Sequence, residues 1–359
     1  MVESPPASPV LAAVLIIVFS ILALAAVDGF LAKMERAETG VEAARLFNAA
    51  KNSMDRHQYS DAIDRLNDAL LIARGDREYL RTLAEAELAA GRLEGAQKTL
   101  TDVLEADSSD GLSNLLFARV LVQKGELNDG ISHYHRAIYG EWTVDAPRRR
   151  LDARLELVGL LARLDRKEEL MAELLPLQEV VGDDGQIVPQ LGRWFLQAGS
   201  PVRAAAIFRE MLHKQPSDVD AHEGAGDAAF AMANYRTARS EFSTALRLAP
   251  ENTSFHAKIE LSERVLALDP TIRGLDAKER LRRSAVLMKA ILDEVSHCVA
   301  APDPDLKALL ERGQALLKKR GASFEENLDL AEELGQNLKR QCKPATDDPL
   351  TLVLAKVAQ

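Results

Sequence analysis

Between Val219 and Asn252 the apolar positions recur at helical spacing in two short runs, with a turn between them. Phe230, Tyr235, Phe242 and Leu246 fill the inner faces. Gly226 and Ala238 stand where the two helices would cross, and Pro250 stops the second. The pattern recurs at intervals of 34 residues, giving units at 43–76, 77–110, 111–144, 151–184, 185–218 and 219–252, with six extra residues after the third. It predicts an array of antiparallel helix pairs.

Two positions test the register. The first helix of each unit carries Ala50, Ala84, Ala118, Val158, Gly192 and Gly226 at its crossing, and the second carries Ala62, Ala96, Gly130, Leu170, Ala204 and Ala238. Close backbone approach requires such small residues, and only Val158 and Leu170 depart. Four residues after the second crossing every unit is large: Leu66, Leu100, Tyr134, Leu174, Phe208 and Phe242.

Outside the array the pattern changes. Residues 1–8 read as a short tail. Residues 9–28 contain the run Val10–Val27, which lacks any charge and as a helix would rise about 27 Å, roughly a hydrocarbon core. A retained single-span transmembrane anchor is the leading expectation. A cleaved signal peptide, with Ala23-Leu24-Ala25 at its site, and a buried core helix are the alternatives. Residues 29–42 form a charged helical connector. Residues 253–270 supply a polar capping helix, which a terminal repeat needs. Residues 271–343 hold three helical stretches, Asp276–Cys298, Asp303–Arg320 and Ser323–Cys342, whose short connections make neighbours antiparallel, and 344–359 is a tail.

Composition narrows the function. With 47% apolar residues but only 5% aromatic, the apolar content is mainly Ala and Leu and favours helix throughout. The net charge of −10 is uneven: from Thr271 onward there are 15 Lys and Arg against 14 Asp and Glu, leaving 30 against 41 before it. An acidic array argues against nucleic acid, which needs phosphate-neutralising side chains.

The array resembles the tetratricopeptide repeat family over about 210 of the 359 residues. Small residues stand at that family's eighth and twentieth positions, an aromatic at the twenty-fourth, and Pro216 and Pro250 at two repeat ends. The resemblance implies an all-α solenoid, a right-handed superhelix whose first helices line a concave groove that holds a peptide or helix. The implied groove positions include Asn48, Lys51, Arg81, Glu85, Arg119, Gln123, Arg163, Gln190, Arg193, Gln197, Asp220, Glu223 and Asp227. Arg81, Arg119, Arg163 and Arg193 recur on four consecutive units and suggest an acidic partner, although a solvated helix face would also carry them. Phe47 and Lys51 stand where the chaperone-binding members place a Lys and an Asn for a terminal carboxylate, so that clamp is missing. Trp142 with Arg148, Arg149 and Arg150, on the inserted connector, is an alternative docking patch, or the Trp covers the gap that the insertion opens.

Catalytic chemistry is not evident. No phosphate loop or G-x-S-x-G elbow occurs, Gly226 stands where His222-Glu223 would need a second His, and His133 and His135 point to different faces of a helix. No cofactor or metal is implied. Cys298 and Cys342, too few for a zinc framework, end two helices that finish on the same side of the bundle. They are expected to form a disulfide and to place the soluble part in an extracytoplasmic, oxidising compartment. Lys33 and Arg36, following the apolar run, argue for the cytoplasmic face, where the two would remain thiols. The sequence thus points to a non-enzymatic, membrane-anchored scaffold that binds a protein or peptide and meets the bilayer through its N-terminal helix. The alternative is an accessory subunit of an envelope-processing or membrane enzyme complex, with its activity in the C-terminal bundle.

Overall fold

The structure, a computed structural model, describes residues 9–182, 184–299, 301–342, 345 and 347–358; the side chains of 9–17, 21, 31, 32 and 35–37 lie outside the description. The chain falls into two compact units, Met1–Leu157 and Val158–Gln359. The first contains α1 (Pro9–Asp55), α2 (Tyr59–Ile72), α3 (Arg77–Ala89), α4 (Leu93–Ala106), α5 (Gly111–Lys124) and α6 (Leu127–Tyr139). Helix α7 (Ala146–Arg163) spans the division. The second unit continues with α8 (Lys167–Val181), α9 (Val188–Gln197), α10 (Pro201–Lys214), α11 (Val219–Ala231), α12 (Tyr235–Leu248) and α13 (Ser254–Leu268). It ends with α14 (Ala277–Cys298), α15 (Pro304–Lys318), α16 (Phe324–Gln341) and α17 (Pro349–Val357).

Two backbone devices set the pairing. Between the two helices of each pair one residue adopts positive φ: His57, Gly91, Gly125, Asp165, Gly199 and Ala233. Their spacings are 34, 34, 40, 34 and 34, so the turn keeps its place through the inserted residues. Asp76, Asp110 and Asp218 begin α3, α5 and α11, each side chain accepting an N–H that the first turn would leave unpaired. The crossing positions are buried throughout. Ala50, Ala84, Ala118, Val158, Ala62, Ala96, Leu170, Ala204 and Ala238 have no measurable exposure, and Gly130, Gly192 and Gly226 are buried with them.

The C-terminal bundle has its own core. Leu287, Met288, Ile291 and Val295 of α14 meet Leu330, Leu334 and Leu338 of α16. Cys298 and Cys342 are paired across the ends of these helices, their Cα atoms 5.6 Å apart. The sequence leaves 344–359 as a tail, but Pro349–Val357 is helix α17, capped by Asp348 and packed on the bundle through Leu350 and Val353. Its nine residues are too few for a long amphipathic period, which is why the pattern gave no sign of them.

At the N-terminus the apolar run, the connector and the first helix of the array are one helix of 47 residues, α1. The expected anchor at 9–28 falls in part on residues whose side chains lie outside the description. Among the described residues no helix is long and apolar enough to cross a membrane.

Candidate functional site

The first helices of the pairs carry the expected binding row. In the first unit Asn48 and Lys51 on α1, Glu85 on α3 and Gln123 on α5 are exposed, and Lys51 lies 5.4 Å from the centre of the Phe47 ring. Arg81 and Arg119 differ from them. Arg81 donates to Asp110 at 3.1 Å, with side chains only 21% and 12% exposed. Arg119 grips Glu156 with two hydrogen bonds of 2.9 and 2.6 Å, and that bonding holds its guanidinium above the usual arginine range. Arg77 pairs with Asp107 at 2.9 Å in the same manner. Asp110 caps α5 and Glu156 stands on α7, so Arg81 and Arg119 tie one helix pair to the next, whereas Asp107 ends α4 and Arg77 braces its own pair. The two-bond fork of Arg119 on Glu156 is stronger than an ordinary surface pair.

The second unit repeats the arrangement. Arg193 stands 3.8 Å from Asp220, Gln190 is half-buried, Arg163 is exposed, and Gln197 donates to the Ala162 carbonyl at 2.6 Å. The acidic end of the row, Glu223 and Asp227, receives Lys258 of α13 at 2.9 and 2.7 Å. Burial works against the Lys258 charge, yet the bonds to both carboxylates hold its ammonium above the usual lysine range. Burial also pushes Asp227 up, against the pull of Lys258. The capping helix therefore supplies a cation as well as a polar face. Lys258 lies one repeat, about 31 residues, beyond Asp227, and that interval was the signal available in the sequence.

The inserted connector is built inward. The Trp142 indole donates to the Ala137 carbonyl at 2.8 Å and lies on Gly111, where a Cβ would come within 2.4 Å of the ring. Arg150 donates to the Gly140 carbonyl at 3.0 Å and Arg148 pairs with Asp152 at 3.0 Å, while Arg149 is exposed. The Trp thus covers the gap at the insertion. Among the described residues no group of three or more His, Cys, Asp or Glu is gathered to hold a metal ion.

Several solved structures are similar to this chain at low identity. YrrB, described as a TPR protein with an unusual peptide-binding site, is 20% identical, with 54% of this chain and 97% of that one covered and a TM-score of 0.44. The C-terminal part of a TPR repeat-containing protein from Cytophaga hutchinsonii is 12% identical, covering 87% and 99%, with a TM-score of 0.46. The TPR2AB domain of yeast Sti1, in complex with pHSP90, is 17% identical, covering 89% and 100%, with a TM-score of 0.30. No curated protein matches the chain. The tetratricopeptide repeat family matches at residues 53–119 and 195–261. The recurring turns and the buried small crossings run through both matched segments, so residues 53–119 and 195–261 carry tetratricopeptide repeats.

Proposed function

We propose that the protein is a non-enzymatic, membrane-tethered scaffold that holds a segment of a protein partner along the first helices of its repeats. The observation that carries this reading is the division of labour in the polar row. Arg81 is held by Asp110, which caps the next first helix, and Arg119 by Glu156 of the following repeat, whereas Asn48, Lys51, Glu85 and Gln123 beside them face water with hydrogen-bonding capacity to spare. Recognition then rests on the exposed polar side chains in the first unit, and on Arg163 and Gln190 in the second, more than on the paired arginines. The test is a photo-crosslinking residue at Asn48 in the native membrane, alone and combined with Lys51→Glu and Gln123→Ala. The adduct to a protein partner is expected to disappear in the triple variant while Tm stays within a few degrees. An adduct that persists places the interface elsewhere, with Trp142–Arg150 next to be probed.

The tether assigns Val10–Val27 to the bilayer and the paired cysteines to an oxidising compartment. Phe19, Leu22, Leu24, Val27 and Phe30 are large apolar side chains left exposed on α1, which supports a lipid contact. Resistance to carbonate extraction is the expected result, and release by carbonate overturns the tether. Two alkylated thiols on immediate lysis would turn the repeats toward the cytoplasm.

A further inference from the structure

Helix α17, PLTLVLAKV, is bound to the C-terminal bundle more as a ligand is bound than as a core helix packs. Its apolar side is seated: Val353 is fully buried, Leu350 nearly so, and Leu354 approaches Gly335 of α16, where a Cβ would come within 2.8 Å of it. Its polar anchor is Lys356, whose Nζ lies 2.5 Å from Asp269. Asp269 is fully buried, and its carboxylate also accepts the N–H and hydroxyl of Thr271, each at 2.7 Å. A buried carboxylate needs a counter-charge, and here the chain delivers it from 87 residues away.

The fit is incomplete. A cavity of about 200 Å³ remains between α16 and α17, beside Gly335, Leu338, Thr351 and Leu354. The Thr351 hydroxyl is buried without a hydrogen-bond partner. Packed interfaces are normally filled and their polar groups paired, so a partly open cleft, with exposed Gln336 and Lys339 at its rim, beside an orphaned hydroxyl marks α17 as loosely seated at that point. The Cys298–Cys342 pair ties α14 to α16 and closes before α17 begins. A nine-residue helix has no stability of its own once undocked.

We propose that the face formed by α13, α14 and α16 is a helix-binding groove that α17 occupies in cis as a displaceable plug. Its external ligand is a longer amphipathic helix that repeats the spacing of Leu350, Val353 and Leu354 and places a Lys or Arg where Lys356 meets Asp269. Such a helix fills the cavity beside Gly335, and the displaced Thr351 hydroxyl returns to water.

The test uses the full chain in detergent and a fluorescein-labelled peptide of residues 347–359. In the wild-type chain the tethered α17 outcompetes the peptide; Val353→Asp in the chain unseats α17, so the peptide binds at least about tenfold more tightly. A peptide carrying Lys356→Glu loses at least about tenfold, as the unpaired Asp269 requires. A Val353→Asp chain that leaves α14 and α16 protected from hydrogen exchange yet binds no peptide overturns the proposal. So does one in which α14 and α16 lose protection, since α17 is then part of the core. In the wild-type chain the α17 amides exchange at least about tenfold faster than those of α14 and α16, and equal rates overturn the plug directly. None of these readouts touches the polar row of the repeats, so the two proposals fail separately.

Discussion

Repeat two and repeat six build the same crossing from different residues. In repeat two Ala84 on α3 faces Leu100 on α4, all buried; in repeat six Gly226 on α11 faces Phe242 on α12. A Cβ on Gly226 would come within 2.4 Å of the Phe242 ring, and one on Gly192 within 2.6 Å of Phe208 in repeat five. Phe208 also lies against Gly224 of the following repeat, where a Cβ would come within 2.2 Å. One methyl is thus exchanged for a larger partner, and the pair, not the single position, is what the fold holds constant. Volume-conserving exchange of this kind is the substitution that packed interiors tolerate best.

Experiments can break that comparison. Phe242→Ala empties the crossing of repeat six and is expected to cost about 3–5 kcal/mol, seen as lost hydrogen-exchange protection in α11 and α12. The same truncation at Leu100 is expected to cost less, about 2–5 kcal/mol, because fewer atoms leave. Gly226→Ala forces a methyl into the ring and is expected to cost about 1–3 kcal/mol by the same measurement. Adding Phe242→Leu rebuilds the repeat-two pair and should recover most of that loss, a coupling that a double-mutant cycle reads directly. Additive losses would mean that the two positions do not share one volume.

The turn sharpens the comparison. Repeat two places Gly91 at φ +73°, whereas repeat six holds Ala233 at +56°, where a Cβ crowds the following carbonyl. Ala233→Gly is expected to stabilise α11 and α12 by about 1 kcal/mol, measured by the same exchange. A smaller effect concerns a bridge found in repeats three and six but not in two. His133 lies 2.9 Å from Asn114, and His222 lies 2.7 Å from Glu241, each pair joining the first and second helix. The Asn114 amide donates to the Ser108 and Asp110 carbonyls, so its oxygen faces His133, which donates from Nδ1 as a neutral ring. Burial, helped by the Arg136 charge, pushes His133 down to about 4 from 6.5. Its folded pKa is depressed, so the unfolded chain takes up the proton first. Stability is full above about pH 6.5 and falls as pH drops toward 4. Tm of the wild type should fall a few degrees more between pH 7 and 5 than that of His133→Gln.

The crossings explain why so much of the array was legible. Small residues at Ala50, Ala84 and Ala118 and large ones at Leu66, Leu100 and Tyr134 recur because backbone approach leaves no other choice. Even the bulky Val158 and Leu170 proved buried at their expected places. The polar row was legible only as positions. Which arginines are free depends on Asp110 and Glu156 reaching back about one repeat, and charge patterning within a single helix does not record that. The starts of the first helices carry a clearer trace: Asp76 and Asp110, which cap α3 and α5, stand 34 residues apart, and Asp218 caps α11. Helix α17 left little trace, since its fit depends on Asp269, 87 residues earlier.

The unbroken course of α1 gives the first repeat a fixed phase as well as a fixed height. From Val27 to Ala43 the helix rises about 24 Å, and each residue turns the chain by about 100°. With no hinge in that stretch, whatever holds the apolar end also sets the azimuth at which the first repeat faces outward. Lengthening the connector by two residues would raise the first repeat by only about 3 Å but swing Asn48 and Lys51 through more than half a turn, while an insertion of 18 residues restores their direction at about 27 Å greater height. The N-terminal helix is in this sense a crankshaft, and the bearing of the first repeat is written in the residue count of the connector.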